Sequence, residues 1–347
     1  MKNQIAFITV GQAGGNIGSL FEKDGFEVLN FNTAPQDLAT LTHAKHKYHI
    51  KGGEGCSRDR DMAKHLAKND LEAMLEKVKQ TLPQEYIFVI FSLGGGTGSG
   101  TSPMLIELII HGLNKKVGAI TVMPSNGEQI RTLVNAFECF KELESIDGMC
   151  ATFVLDNNRA ISDKFALNNA FFELFLSFLE IPTHHNAKGN IDTAEIKEML
   201  STPGAAIISK LAKTANNTSG LIQSFRENIF APPEDDAKIK YLGISSNINI
   251  NIESVIKETG TCLEVFSGVN PDSTICMFCG LTFPYTVLEN FRVNVEKNKD
   301  AITNIFKKET RLGAGIDLLQ GVSSTGAKSA TVEKSDIEDI LSKFMKK

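Results

Sequence analysis

With 347 residues, 42% hydrophobic and 22% charged, the chain has enough material for one large or two packed globular domains. Its formal charge of -5 is spread along the length without a block of like charge, which excludes a protein that wraps nucleic acid through bulk electrostatics. The opening residues do not read as an export signal, and the most apolar stretch, 170–181, is too short to span a bilayer and carries Glu173 and Glu180. The expectation is a cytoplasmic protein with no membrane contact.

In chain order, 5–10, 27–31, 86–92, 116–123 and 151–155 read as strands, and 15–23, 58–80, 103–114 and 129–145 as helices between them. Strict alternation predicts a Rossmann-like α/β fold, a parallel sheet covered on both faces, with ligands beyond the carboxyl ends of its strands. A long helix over 161–180 follows and stops before Pro182; at 1.5 Å per residue it spans roughly 30 Å. Helices at 192–200, 204–215 and 221–228, then strands at 239–245, 261–267 and 274–282, suggest a smaller α+β unit. A polar stretch, 321–329, precedes an amphipathic segment, 335–345, with Ile337, Ile340, Leu341 and Phe344 at helical spacing. The expected organisation is therefore a first domain over 1–160, a central helix over 161–182, a second domain over 183–320, and a linker and helical tail over 321–347.

Several clusters carry no chemistry in this reading. The six cysteines show no disulfide framework, and Cys276 and Cys279 form a C-x-x-C inside a strand-like run, without a second pair for zinc or the helix start of a redox motif. His43, His46 and His49 are not on one helical face, and His184 and His185 read as surface residues. Lys297, Lys299, Lys307 and Lys308 read as a solvated face, so neither a metal site nor direct nucleic-acid binding is expected.

Two glycine-rich loops each lie between a predicted strand and a predicted helix. The first is Gly11, Gln12, Ala13, Gly14, Gly15, Asn16; the second is Gly94, Gly95, Gly96, Thr97, Gly98, Ser99, Gly100. Glycines let the backbone amides approach phosphate oxygens, and the following helix presents unpaired N–H groups and its positive dipole end. Neither loop is the dinucleotide fingerprint G-x-G-x-x-G or a P-loop with G-K-[ST]. Asn30 and Asn32 also stand where a dinucleotide-binding oxidoreductase would need an acid, which argues against that class.

The second loop matches in full the G-G-G-T-G-[ST]-G pattern of the tubulin/FtsZ family, and the first resembles tubulin in Gly11-Gln12 and FtsZ in Gly14-Gly15-Asn16. Further resemblances follow in order: Asn32-Thr33 with Asp37-Leu38; Pro124 with Gly127, Glu128 and Arg131; and Asp156-Asn157-Asn158-Arg159, similar to the P-N-D-R loop whose Asn reads guanine. The resemblance runs to about residue 210 and implies binding of GTP/GDP with Mg²⁺. An Asn amide, which both donates and accepts, suits a guanine edge, with Asn157 and one of Asn168 or Asn169 as candidates. Phe165 stands where the family places a ring on the base. Segment 52–58, expected beside the γ-phosphate, departs from the FtsZ pattern and offers Arg58 and Arg60 instead.

Asn190, Asp192 and Glu195 resemble the catalytic N-x-D-x-x-D loop of FtsZ, although Asp192 and Glu195 by themselves also form a plain capping-box pattern. A helix of roughly 30 Å separates this loop from the glycine loops, so its carboxylates would serve the next subunit. Such a contact is heterologous and produces head-to-tail filaments. The size and tail most resemble the TubZ branch, which segregates plasmid or phage genomes and implies a DNA-binding adaptor as partner. An FtsZ-like cytokinetic GTPase and a nucleotide-binding structural polymer with little hydrolysis remain as alternatives.

Overall fold

The computed structural model describes residues 1–159, 163–235 and 238–306. The expected linker and tail over 321–347, Lys307 and Lys308, and the first residues of the expected central helix at 161–162 lie outside the described residues.

The first half runs β1 (Ile5–Val10), α1 (Gly11–Lys23), β2 (Glu27–Asn32), α2 (Pro35–Thr40), β3 (His46–His49), α3 (Arg60–Asn69), α4 (Leu71–Thr81), β4 (Tyr86–Ser92), α5 (Thr97–Leu113), β5 (Lys116–Met123), α6 (Ile130–Glu144) and β6 (Ala151–Asp156). Then come α7 (Lys164–Glu180), α8 (Thr193–Ser201), β7 (Gly204–Lys210), α9 (Thr218–Arg226), β8 (Ile239–Ser246), α10 (Ile252–Thr259), β9 (Cys262–Val269), β10 (Ile275–Leu281) and α11 (Tyr285–Phe306).

The ten strands among the described residues join one sheet in the order β3-β2-β1-β4-β5-β6-β7-β10-β8-β9. Every neighbouring pair is parallel except those of β10, which runs antiparallel to both β7 and β8. Successive residues of β1 point to opposite faces. Ile5 and Phe7 enter one core, while Ala6, Ile8 and Val10 enter the other. On the first face α7 lies over the strands, with Phe175 at 5.9 Å from Phe7, 5.6 Å from Phe88 and 5.7 Å from Phe153, ring centroid to centroid. The sheet continues into the second half through a short seam, Ala151 to Phe153 against Gly204 to Ala206.

Two expected elements differ. Residues 204–215 do not begin with a helix: 204–210 is strand β7, held between β6 and β10. Its alanines have high helix propensity, but Ala205 to Ser209 are buried consecutively, as only a strand covered on both faces requires. The single helix expected over 58–80 is two, α3 and α4, parted at Asp70, whose carboxylate accepts from the Tyr48 hydroxyl and the Lys51 amide at 2.9 Å each. Asp70 is thereby spent on the β3 edge.

Candidate functional site

Both glycine loops turn directly into helix at the carboxyl ends of their strands. α1 starts at Gly11 and α5 at Thr97, earlier than sequence periodicity suggests. Their N-cap residues, Val10 and Gly96, make no side-chain capping bond among the described residues, and neither first turn carries an acid. Two sets of first-turn amides and two positive dipole ends therefore open on one place, an arrangement that favours an anion. The loops touch: a Cβ added to Gly11, whose φ is +76°, would lie 3.3 Å from the Gly98 nitrogen.

Between them lies a cleft of about 490 Å³. Of the residues singled out from sequence, Gly11, Gln12, Ala13, Gly94, Gly95, Gly96, Thr97, Gly98, Glu128, Asn157 and Asn168 line it. The others stand behind or beside it. Gly14 packs α1 onto the sheet, since a Cβ there would come 2.2 Å from the Ile90 carbonyl oxygen, and Gly15 lies against Leu41. The Asn16 carbonyl accepts from Ser19 Oγ. Ser99 Oγ donates to the Gly95 carbonyl, Gly100 packs on Arg60 and Ala63, and Pro124 stands behind Gly94. Arg131 pairs at 3.0 Å with Asp59. Phe165 is 64% exposed and Asn169 is exposed; neither lines the cleft.

At one end of the cleft stand Asn157, Asn168 and an ion pair between Glu128 and Lys164 at 2.9 Å. Asn157 Oδ1 is buried without a hydrogen-bond partner among the described residues. A buried acceptor left unpaired costs about 1–3 kcal/mol, so a ligand donor placed there would relieve it. At the opposite end Gly55, Cys56, Ser57 and Arg58 form the wall. The order follows from the sheet: Asn157 leaves β6, the glycine loops leave β1 and β4, and the wall follows β3 at the edge. A nucleoside triphosphate laid base-first at Asn157 would reach this wall with its last phosphate.

The two arginines of that segment separate. Arg58 lines the cleft, and its Nη1 donates to Thr132 Oγ1 at 2.9 Å and Gln129 Oε1 at 2.5 Å. Arg60 is buried, ion-paired with Glu142 at 2.7 Å, and its Nη2 donates at 3.0 Å to the Ser99 carbonyl. Pro103, four residues on in α5, has no N–H to give that carbonyl, so Arg60 takes over the bond. Asp59 caps α3, and the Met62 amide, followed by Arg131, holds its carboxyl below the usual range.

Lys164 and Thr132 line the cleft and Asn135 stands close behind it, yet sequence reasoning passed over all three. Thr132 and Asn135 were detectable as polar residues spaced by three on an otherwise apolar helix face; Lys164, at a helix start, gave no signal. The cleft's acids are Asp37 and Glu128, and no group of three or more metal-binding side chains occurs among the described residues. That donor set suits Mg²⁺ carried in on phosphate oxygens rather than caged by protein. His49 Nε2 instead contacts the Gly53 and Thr33 carbonyls, and His46 pairs with Glu27 at 3.3 Å. Cys276 and Cys279 are free and buried. No described helix is long and apolar enough to cross a membrane.

Asn190, Asp192 and Glu195 are away from this cleft. Asp192 and Glu195 form a complete capping box on α8: Asp192 Oδ1 accepts from the Glu195 amide at 2.9 Å, and Glu195 Oε2 from the Asp192 amide at 2.8 Å. Asn190 Oδ1 accepts from the Asn186 amide. At its other end α8 is fixed through Ser201 to the Tyr86 hydroxyl, 3.0 Å, and Tyr86 begins β4, the strand whose last residue, Ser92, lines the cleft. β4 has seven residues, about 23 Å, and α7, with Lys164 at the cleft, carries the chain about 25 Å before this loop begins.

Residues 4–163 match the tubulin/FtsZ family GTPase domain. The tubulin-like protein TubZ of Clostridium botulinum C phage is 28% identical over 363 aligned residues, covering 99% of this chain and 100% of the relative. The crystal structure of Clostridium botulinum phage c-st TubZ superposes with a TM-score of 0.79 at 26% identity, over 87% of this chain and 100% of that one. A GTPγS-form protofilament of Bacillus thuringiensis serovar israelensis TubZ shares the fold, with a TM-score of 0.73 at 17% identity over 87% and 94% of the two chains. Residues 4–163 therefore carry a tubulin/FtsZ family GTPase domain, and the chain as a whole is similar in sequence and fold to TubZ.

Proposed function

We propose that this chain binds GTP in the cleft, assembles head to tail, and hydrolyses the nucleotide at the junction between subunits. The path of the chain supports the reading: α7 starts at the cleft with Lys164 and runs about 25 Å before the Asp192/Glu195 loop, and α8, which that loop caps, bonds through its last residue, Ser201, to Tyr86 at the far end of β4. A loop so placed is out of reach of its own nucleotide, and stacking subunits top to bottom would bring it to a neighbour's. Such a contact repeats without closing and generates a filament. A protofilament is the state captured for the Bacillus thuringiensis TubZ, which supports the same mode here.

In this reading Asn157 and Asn168 hold the base edge, with the unpaired Asn157 oxygen accepting from it. The first-turn amides of α1 and α5 and the Thr97 hydroxyl take the phosphates. Glu128 and Lys164 close the base end, and Arg58 faces the terminal phosphate. Mg²⁺ bound to the phosphates would neutralise charge as it develops on them. Asp192 and Glu195 of the adjoining subunit orient the attacking water, while Asn190 helps to shape the loop. The first domain, 1–160, thus carries nucleotide, α7 spaces the halves, and the second domain, from 183, presents the activating loop. By its likeness to TubZ, the filament would move plasmid or phage DNA through a DNA-bound adaptor.

Phosphate release from GTP, followed with light scattering over a range of protein concentrations, tests the mechanism. Turnover per subunit rises with concentration if the site is shared; turnover independent of concentration would place the whole site within one subunit.

A further inference from the structure

Ser57 and Arg58 adopt φ of +45° and +61°, consecutive non-glycine residues in the left-handed region. Such residues persist only where their surroundings hold them. Here the holding comes from one face of α6 and its N-cap. Gln129 and Thr132 accept from the Arg58 guanidinium, the Arg131 guanidinium donates to the Ser57 carbonyl at 3.5 Å, and Asn135 Nδ2 donates to the Arg58 carbonyl at 2.9 Å. The same Asn135 amide also contacts the Gly94 and Gly95 carbonyls at 3.2 and 3.3 Å. Asn135 is 6% exposed and does not line the cleft. The two backbones it joins are in direct contact: a Cβ on Gly96 would lie 2.9 Å from Arg58 Cα and from the Asp59 nitrogen.

We propose that Asn135 is a positioning residue that locks the strained 57–58 wall onto the 94–96 loop, and so sets the cleft's preference for a nucleoside triphosphate over a diphosphate. The inference rests on the proposed nucleotide orientation, with the last phosphate at the wall. The base meets Asn157 and the inner phosphates meet the first turns of α1 and α5, none of which Asn135 bonds; the 57–58 wall and the 94–95 backbone, which it does bond, form the surface that a terminal phosphate would meet. Without Asn135 the wall relaxes from its left-handed conformation, and the fraction of molecules ready for a third phosphate falls.

The test is calorimetric binding of GTPγS and of GDP to the natural chain and to Asn135→Ala, with thermal unfolding as a check on folding. Apparent affinity scales with the competent fraction, so GTPγS affinity is expected to fall about tenfold while GDP affinity stays within about twofold. Thr132→Val, which keeps the methyl against Gly94 and removes the Arg58 acceptor, is expected to move the ratio in the same direction and serves if Asn135→Ala does not fold. Equal losses for both nucleotides, or no loss for either, would overturn the inference while leaving the nucleotide reading intact. Failure of the natural chain to bind either nucleotide would overturn the nucleotide reading itself.

Discussion

The Asp192/Glu195 pair has a visible structural role and a proposed catalytic one, and substitutions can separate them. In the capping box each carboxylate accepts one backbone N–H, at 2.9 and 2.8 Å. Asn caps a helix about as well as Asp, and Gln at the third position completes the box as Glu does. Asp192→Asn and Glu195→Gln therefore keep the helix start, with stability changing by only a few tenths of a kcal/mol. Asp192→Ala loses the cap and costs about 1 kcal/mol, a fall in melting temperature of roughly 2–4 °C for a large domain. A carboxylate that orients or deprotonates the attacking water contributes about 10²–10⁴-fold, so each amide variant is expected to lose at least about 2.7 kcal/mol of transition-state stabilisation. Phosphate release under assembling conditions, beside a thermal melt, reads both quantities. Amide variants that hydrolyse GTP at the natural rate, with only Asp192→Ala impaired, would show that the acids are helix caps and nothing more.

Asn157→Leu removes the unpaired acceptor at the base end and is expected to weaken GTP binding by about 1–3 kcal/mol, with a smaller effect on inorganic triphosphate, as competition binding would show. Glu142 holds the buried Arg60 at 2.7 Å, so Glu142→Ala leaves a buried guanidinium without its carboxylate and is expected to cost about 3–5 kcal/mol in denaturant unfolding. Burial raises the thiols of Cys139, Cys276 and Cys279 to about 12 and that of Cys150 to about 11, from 9.0. These groups favour the protonated folded state, so their contribution is fully present below about pH 9 and is lost as pH rises toward 11–12. Denaturant midpoints across that range should fall, and alkylation of the native chain at pH 8 should reach the half-exposed Cys262 well before these four.

Much of the architecture was legible because periodicity and burial agree. β1, β4 and β5 begin and end where the apolar runs do, since central parallel strands are buried on both faces and turn signals bound them. The glycine loops were legible as a phosphate site because their composition has few other uses at a strand-to-helix turn. Helix starts were misplaced at Gly11 and Thr97 because a glycine-rich first turn has no propensity signal, and Pro103 suggested a start although it lies inside α5. Strand β7 was misread because its alanines outvoted a tertiary environment set by β6 and β10. Helices α10 and α11 were not anticipated at all. Within the site, residues offered by a loop motif were accessible to sequence, whereas those acting from behind it were not. Asn135 belongs to the wall only because α6 lies against residues more than seventy positions earlier.

Complementation tests the shared site most directly. A Cβ on Gly95 meets nothing within 4 Å, so Gly95→Asp should fold while placing a negative charge among the phosphate amides and emptying the cleft. Its acidic loop is intact, whereas Asp192→Asn/Glu195→Gln keeps its cleft and lacks the acids. Neither variant alone should hydrolyse GTP, but in an equal mixture about a quarter of head-to-tail junctions pair a sound cleft with a sound loop, and phosphate release should return accordingly. A mixture no faster than the sum of its two components would contradict the account.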